Sequence, residues 1–190
     1  MKRIFSLFLV LAALTAALLV FPACGDKPDT STHRVAIEVQ DFGTIELELY
    51  PTKAPITVAN FEKLVKEGFY DGLTFHRIGK NFMIQGGDPN GDGSGGFDKI
   101  IKGEFSQNGF TRNDIKHERG VISRARSSSN DSASSQFFIM HGDAPYLDGS
   151  YAAFGHVTEG MNVVDEIADV PTDGRDKPRV PQVMKRVYLA

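Results

Sequence analysis

Arg77 is the side chain with the most chemical promise in this chain. It follows Phe75 and His76 and precedes Phe82, Met83 and Gln85, while Gln136 and Phe138 stand in a later apolar run. A guanidinium that is always protonated, set among large apolar groups and amides, suits catalysis by grip and polarity. No nucleophile, metal cluster or phosphate loop lies near it in the sequence.

Other motifs carry less. Asp88, Pro89, Asn90, Gly91, Asp92 and Gly93 reproduce the first half of a calcium-binding loop, but Lys99 occupies the place of the closing glutamate and no helix–loop–helix continues around it. The serine-rich stretch 127–135 has hydroxyls without a base at a recognisable spacing and reads as a polar loop. His33, His76, His117, His141 and His156 are scattered without metal-ligand spacing, so no metal is expected; His76 is expected to be buried opposite Arg77 in a structural role.

The elements that must position these residues are short. Val35, Ile37 and Val39 alternate with polar residues, as do Ile45, Leu47 and Leu49, which predicts a half-buried hairpin around Asp41–Gly43. Val58, Phe61, Leu64 and Val65 recur at helical spacing between Pro55 and Gly68, which predicts a helix over 55–66; a second helix is expected over about 161–168. Glycine-punctuated apolar runs at 73–78, 82–85, 121–125, 136–140, 152–157 and 183–189 predict strands. Strand period places Met83 with Gln85 on one face and Gln136 with Phe138 on another. Many short strands with two helices suggest a mainly β protein built as a closed barrel with capped ends.

The N-terminus has the form of an export signal: Lys2 and Arg3, then an almost unbroken apolar run from residue 4 to residue 23, then polar residues. Cys24, the single cysteine, sits where a bacterial lipoprotein carries its acylated residue, although Phe21 and Pro22 depart from the usual pattern before it. Ordinary cleavage after Ala23 and an uncleaved membrane anchor are the alternatives; all three export the domain, and the lipidated form is expected to be membrane-tethered in the cell envelope, on its periplasmic or extracellular face. The expected organisation is a signal at 1–23, a flexible tether at 24–33 and one domain at 34–190. A single cysteine allows no internal disulfide, so the domain must be stable through its core. Loss of residues 1–23 takes the formal charge from −3 to −5, which argues against a nucleic-acid partner.

Several ordered blocks resemble the cyclophilin family of peptidyl-prolyl isomerases: Phe75–His76–Arg77, the run from Asn81 to Asp88, Ser135 to Ile139, Tyr146 to Gly149 and Phe154 to Met161. The resemblance runs from about Arg34 to Leu189. It implies a closed eight-stranded antiparallel β-barrel capped by two α-helices, no cofactor, and proline-containing polypeptides as partners. By the same matching, Arg77 is the catalytic residue. Phe82, Met83, Phe138 and Leu147 form the pocket for the proline ring, Gln85 holds a substrate carbonyl and Gln136 lines the site. Ala125 and Arg126 contact the substrate through main-chain groups; many members have Asn where Arg126 stands. Tyr146 takes the place of a tryptophan found in many eukaryotic members and Tyr151 that of a histidine, each keeping an aromatic wall. The loss of the indole donor implies reduced affinity for cyclosporin.

The chemistry implied fits those residue types. Rotation about a peptide bond meets a barrier of roughly 18–20 kcal/mol, and X–Pro isomers exchange in tens to hundreds of seconds. Acceleration to milliseconds needs on the order of 6 kcal/mol off that barrier. As the bond twists, the prolyl nitrogen becomes pyramidal and regains a lone pair, so a donor aimed there stabilises the transition state selectively. The expected function is therefore an isomerase assisting the folding of exported proteins. The alternative is a non-catalytic module of the same fold that docks proline-containing segments of an envelope partner. A barrel carrying a lipophilic ligand is disfavoured, because bulky inward residues predict a filled barrel.

Overall fold

The computed structural model describes residues 33–190; the expected signal at 1–23, Cys24 and the expected tether up to residue 32 lie outside the described residues. His33, the last residue of the expected tether, is already held to the domain. Its carbonyl accepts from Leu49 N–H at 2.7 Å and its Nδ1 lies 2.6 Å from the Glu62 carboxylate.

The strands are β1 Arg34–Val39, β2 Gly43–Leu49, β3 Thr74–Gly79, β4 Met83–Asp88, β5 Val121–Arg124, β6 Phe137–Met140, β7 Ala153–Glu159 and β8 Gln182–Leu189; the helices are α1 Pro55–Lys66 and α2 Met161–Ala168. They close antiparallel into a barrel in the order β1-β2-β7-β5-β6-β4-β3-β8. The alternation in β1 and β2 puts Ile37 opposite Ile45 and Val35 opposite Leu47, all fully buried. Asp41 turns the chain between them in the left-handed region, at φ 68°.

Helix α1 begins with Pro55 and has no side-chain cap of its own. The buried Glu104 supplies one from a distance, accepting the N–H groups of Ile56 at 3.0 Å and Thr57 at 2.8 Å. A carboxylate at that end satisfies orphan donors and complements the helix dipole. The two helices sit at opposite ends of the barrel. Arg124, the last residue of β5, bonds Asn60 of α1, whereas Arg119, just before β5 begins, bonds Asp165 of α2.

The barrel interior is packed with side chains. Phe61 of α1 meets Phe137 edge-on at 5.4 Å and Phe154 at 5.2 Å, and Phe75, Ile37, Ile45 and Leu47 fill the rest, all fully buried. A second, smaller apolar cluster lies on the outside of the wall: Met83, Val121, Phe138, Met140 and Ala153, joined by Leu147 from the loop that crosses them. Strand period makes both clusters from the same strands. Ile84, Ile122, Phe137 and Ile139 point in, while Met83, Val121, Phe138 and Met140 point out.

Strand β4 extends past the expected 82–85 through two glycines. A Cβ on Gly86 would lie 2.9 Å from the Thr74 carbonyl, and one on Gly87, at φ +82°, 2.7 Å from the Ser135 carbonyl. These glycines permit close backbone approach inside the sheet and do not end it.

Candidate active site

Three ladder registers bring the chemistry-bearing residues into one row. Arg77 of β3 faces Gln85 of β4, Gln85 faces Phe138 of β6, and Phe138 faces Ser123 of β5. Period two alone would turn Arg77 inward, because Phe75 lies in the core. The register shifts between Phe75 and Arg77: Phe75 pairs with Gly86 and Arg77 with Gln85, which leaves His76 as an extra residue. This β-bulge turns Arg77 to the outer face while Phe75 and Ile78 both remain in the core.

On that outer face lies a cleft of about 500 Å³. Phe82, Met83, Phe138 and Leu147 supply apolar surface; Arg77 and Gln85 stand at one side, and Ala125, Arg126 and Tyr151 at the other. Arg77 is half exposed, with Nε and Nη2 donating to Asp176 Oδ2 at 3.3 and 3.2 Å and its guanidinium carbon 5.9 Å from the Phe82 ring centre. The Arg126 side chain is engaged: Nε and Nη2 donate to the Ser150 carbonyl at 3.1 and 2.9 Å, and the guanidinium lies 4.6 Å from the Tyr151 ring centre.

Gln136 and Tyr146 stand beside this cleft. Gln136 lines an adjoining cavity of about 350 Å³, floored by glycines 93, 95 and 96 and by serines. Its Nε2 donates to the carbonyls of Gly95 at 2.6 Å and Gly93 at 3.1 Å, so its Oε1 must accept from Gln85 Nε2, at 2.9 Å. That bond fixes the Gln85 amide, whose second N–H makes no hydrogen bond among the described residues. Tyr146 is 70 % exposed and stacks on Phe82 at 6.1 Å, forming an outer flank of the cleft.

Several lining residues carry no signal in the sequence. Behind Phe138 lies a buried constellation of Ser123, His117 and Asp148: His117 Nε2 is 3.0 Å from Ser123 Oγ and Nδ1 is 3.2 Å from Asp148 Oδ1. A carboxylate only accepts, so Nδ1 carries the proton and Nε2 accepts from Ser123. The order resembles an acyl-transfer triad, but Ser123 is 0 % and His117 1 % exposed, which closes the hydroxyl to any substrate. The imidazole instead stacks on Phe138, at 6.1 Å and 22°, and supports the cleft from below. Burial pushes His117 below the ordinary histidine value, against the hydrogen bond and charge of Asp148. Burial alone would raise Asp148, but hydrogen bonds from His117 and Lys116 hold it below the usual carboxylate range.

His76, the bulge residue, also reaches the cleft. It is 6 % exposed, neither ring nitrogen makes a hydrogen bond among the described residues, and burial lowers its pKa against the pull of Asp88 and Asp92. The Asp88 carboxylate holds the 90–93 turn by accepting the N–H groups of Asn90, Asp92 and Gly93. The loop before β8 adds Asp173, Arg175 and Lys177 to the rim. No group of three or more His, Cys, Asp or Glu residues among the described residues could hold a metal ion.

Residues 34–189 match the family model described as cyclophilin type peptidyl-prolyl cis-trans isomerase/CLD. The chain is 47% identical over 131 residues to peptidyl-prolyl cis-trans isomerase B of Bacillus subtilis, a match covering 69% of this chain and 87% of that protein. It is 45% identical over 140 residues to a peptidyl-prolyl cis-trans isomerase of Acinetobacter baylyi, covering 70% of each. Among solved structures it is similar to a cyclophilin type peptidyl-prolyl cis-trans isomerase of Cryptosporidium parvum, crystallised in the presence of the dipeptide Ala-Pro. The TM-score is 0.75 at 30% identity, over 83% of this chain and 98% of that one. Fold and sequence match agree, and the chain belongs to the cyclophilin-type peptidyl-prolyl cis-trans isomerases.

Proposed function

We propose that this isomerase acts at the cell envelope on X–Pro bonds of exported polypeptides, tethered to a membrane through its N-terminus with Cys24 as the lipid-bearing residue. Arg77 is the catalytic residue in this reading. The observation that carries it is the placement of the guanidinium: turned outward by the bulge, bonded along one edge to Asp176, with Nη1 making no hydrogen bond among the described residues and an apolar cleft beside it. A proline ring seats against Phe82, Met83, Phe138 and Leu147, and the preceding carbonyl accepts from the free N–H of Gln85. The backbone at Ala125 and Arg126 holds the chain, with Gln136, Tyr146 and Tyr151 as flanking walls. An Ala-Pro dipeptide accompanies the related parasite structure, which fits a proline-sized pocket. Strand-like clients bound along Ala125 lose water around the twisting bond, and there a fixed donor gains most.

A charge-assisted hydrogen bond contributes about 1.5–3 kcal/mol, so Arg77→Ala is expected to lower kcat/KM by roughly 10- to 150-fold in a coupled proline-isomerisation assay. Wild-type turnover in that variant would remove Arg77 from the mechanism. Mass spectrometry of the native N-terminal peptide tests the tether: acylated Cys24 is expected, and an unmodified thiol on that peptide would overturn lipidation.

A further inference from the structure

The loop between α2 and β8 carries no recognisable motif, yet it is a built strap. Thr172 bridges Pro178, Asp173 N–H donates to the Lys177 carbonyl at 2.9 Å, and Asp173 Oδ1 accepts the N–H groups of Arg175 and Lys177 at 2.8 and 3.0 Å. The strap is joined to the catalytic strand. β3 pairs with β8 only at Thr74 and Phe75, and beyond them Ile78 N–H donates to the Asp176 carbonyl at 2.7 Å. The strap thus takes over the seam of the barrel on the far side of the bulge. Asp176 itself sits at φ +64°, a left-handed conformation that a side-chain-bearing residue seldom adopts. Its carboxylate meets Arg77 at both Nε and Nη2.

We propose that Asp176 is a positioning residue for the isomerase reaction, holding the Arg77 guanidinium edge-on so that Nη1 is presented to the prolyl nitrogen. The proposal rests on Arg77 being the catalytic donor. An exposed ion pair adds little to stability, and the left-handed backbone at Asp176 adds strain. The contact is therefore explained by its effect on Arg77 and not by a contribution to the fold. Arginine is rich in rotamers, and a donor free to swing spends only part of its time aimed at the reacting atom. The Phe82 ring, 5.9 Å from the guanidinium carbon, adds a second, weaker contact, so the Asp176 carboxylate is the group that fixes the edge. Because arginine stays protonated, the carboxylate changes its aim and not its charge state.

The test is Asp176→Gly, which removes the carboxylate and relieves the left-handed backbone. The expected result is a kcat lower by on the order of tenfold, KM within about twofold of wild type, and a thermal midpoint that does not fall. In NMR the Arg77 Nε–H signal should move to the position of a freely rotating arginine. Asp176→Asn keeps an acceptor and should be intermediate. The double variant with Arg77→Ala should be no slower than Arg77→Ala alone, since Asp176 acts through Arg77. Wild-type kcat in Asp176→Gly, a loss matched by a lower thermal midpoint, or a further loss in the double variant would each overturn the proposal. If Arg77→Ala is itself fully active, the underlying reading of Arg77 fails; if it is inactive while Asp176→Gly is active, only the positioning role fails.

Discussion

The two buried histidines make the stability of this domain depend on pH in a window that can be worked out. Burial lowers the pKa of both His76 and His117, so each is neutral in the fold under conditions where an unfolded histidine, near 6.5, has begun to bind a proton. The unfolded chain therefore binds more protons below about pH 6.5, and stability falls as pH falls through that value toward the folded pKa. For a histidine kept neutral in the fold throughout, the loss between pH 7.5 and pH 5.5 is about 1.4 kcal/mol, so the two together contribute at most about 2.7 kcal/mol. The depressed carboxylates Asp148 and Asp165 contribute stability that is lost only as pH falls below their ordinary value of 3.8, outside this window. Urea melts of the wild type, His117→Gln and His76→Gln at several pH values between those limits separate the two terms. Each variant should lose about half of the acid-induced decline, whatever its stability at pH 7.5. Profiles running parallel to the wild type would show that burial does not suppress protonation, and the reasoning would fail. Since His117, stacked on Phe138, stays neutral in the folded protein over the same range, its titration should leave KM for a proline peptide unchanged in the wild type.

Other predictions concern the core, a strand and a ligand. Arg124 is a fully buried cation with no carboxylate partner among the described residues, bonded to the Ser135 carbonyl and Asn60 and lying against the Phe61 and Phe154 rings. Because its desolvation penalty offsets most of those contacts, Arg124→Met should change stability by less than about 1.5 kcal/mol. Arg124→Ala, which also leaves a cavity, should lose about 3–5 kcal/mol in urea unfolding, and equal losses in the two variants would contradict this. Gly87→Ala, with its positive φ and a Cβ 2.7 Å from the Ser135 carbonyl, should lose about 2–4 kcal/mol by the same measurement. Tyr146 lacks an indole donor, so cyclosporin should bind weakly by calorimetry; a nanomolar dissociation constant would refute that expectation.

What the sequence made legible was what local spacing encodes. The α1 bounds followed from Pro55, Gly68 and the apolar stripe between them, and the hairpin of β1 and β2 from its alternation. What it hid depends on a partner strand. The outward turn of Arg77 needs the bulge at His76, which exists only in the register with Gly86 and Gln85. Gly86 and Gly87 read as a strand end because their reason, a close approach by Thr74 and Ser135, comes from distant segments. Asp176 lies about a hundred residues from Arg77 in the chain, and the Ser123–His117–Asp148 support joins three separate segments, so neither leaves a motif. Arg126 was legible as a departure from the family pattern, but its grip on Ser150 and Tyr151 was not.

The cleft lies on the outside of a sealed wall, with Arg77 and Tyr146 open to water at its edges. A polypeptide can be laid across such a surface sideways, without threading a terminus through an opening. A proline in the middle of a chain is then as reachable as one near its ends.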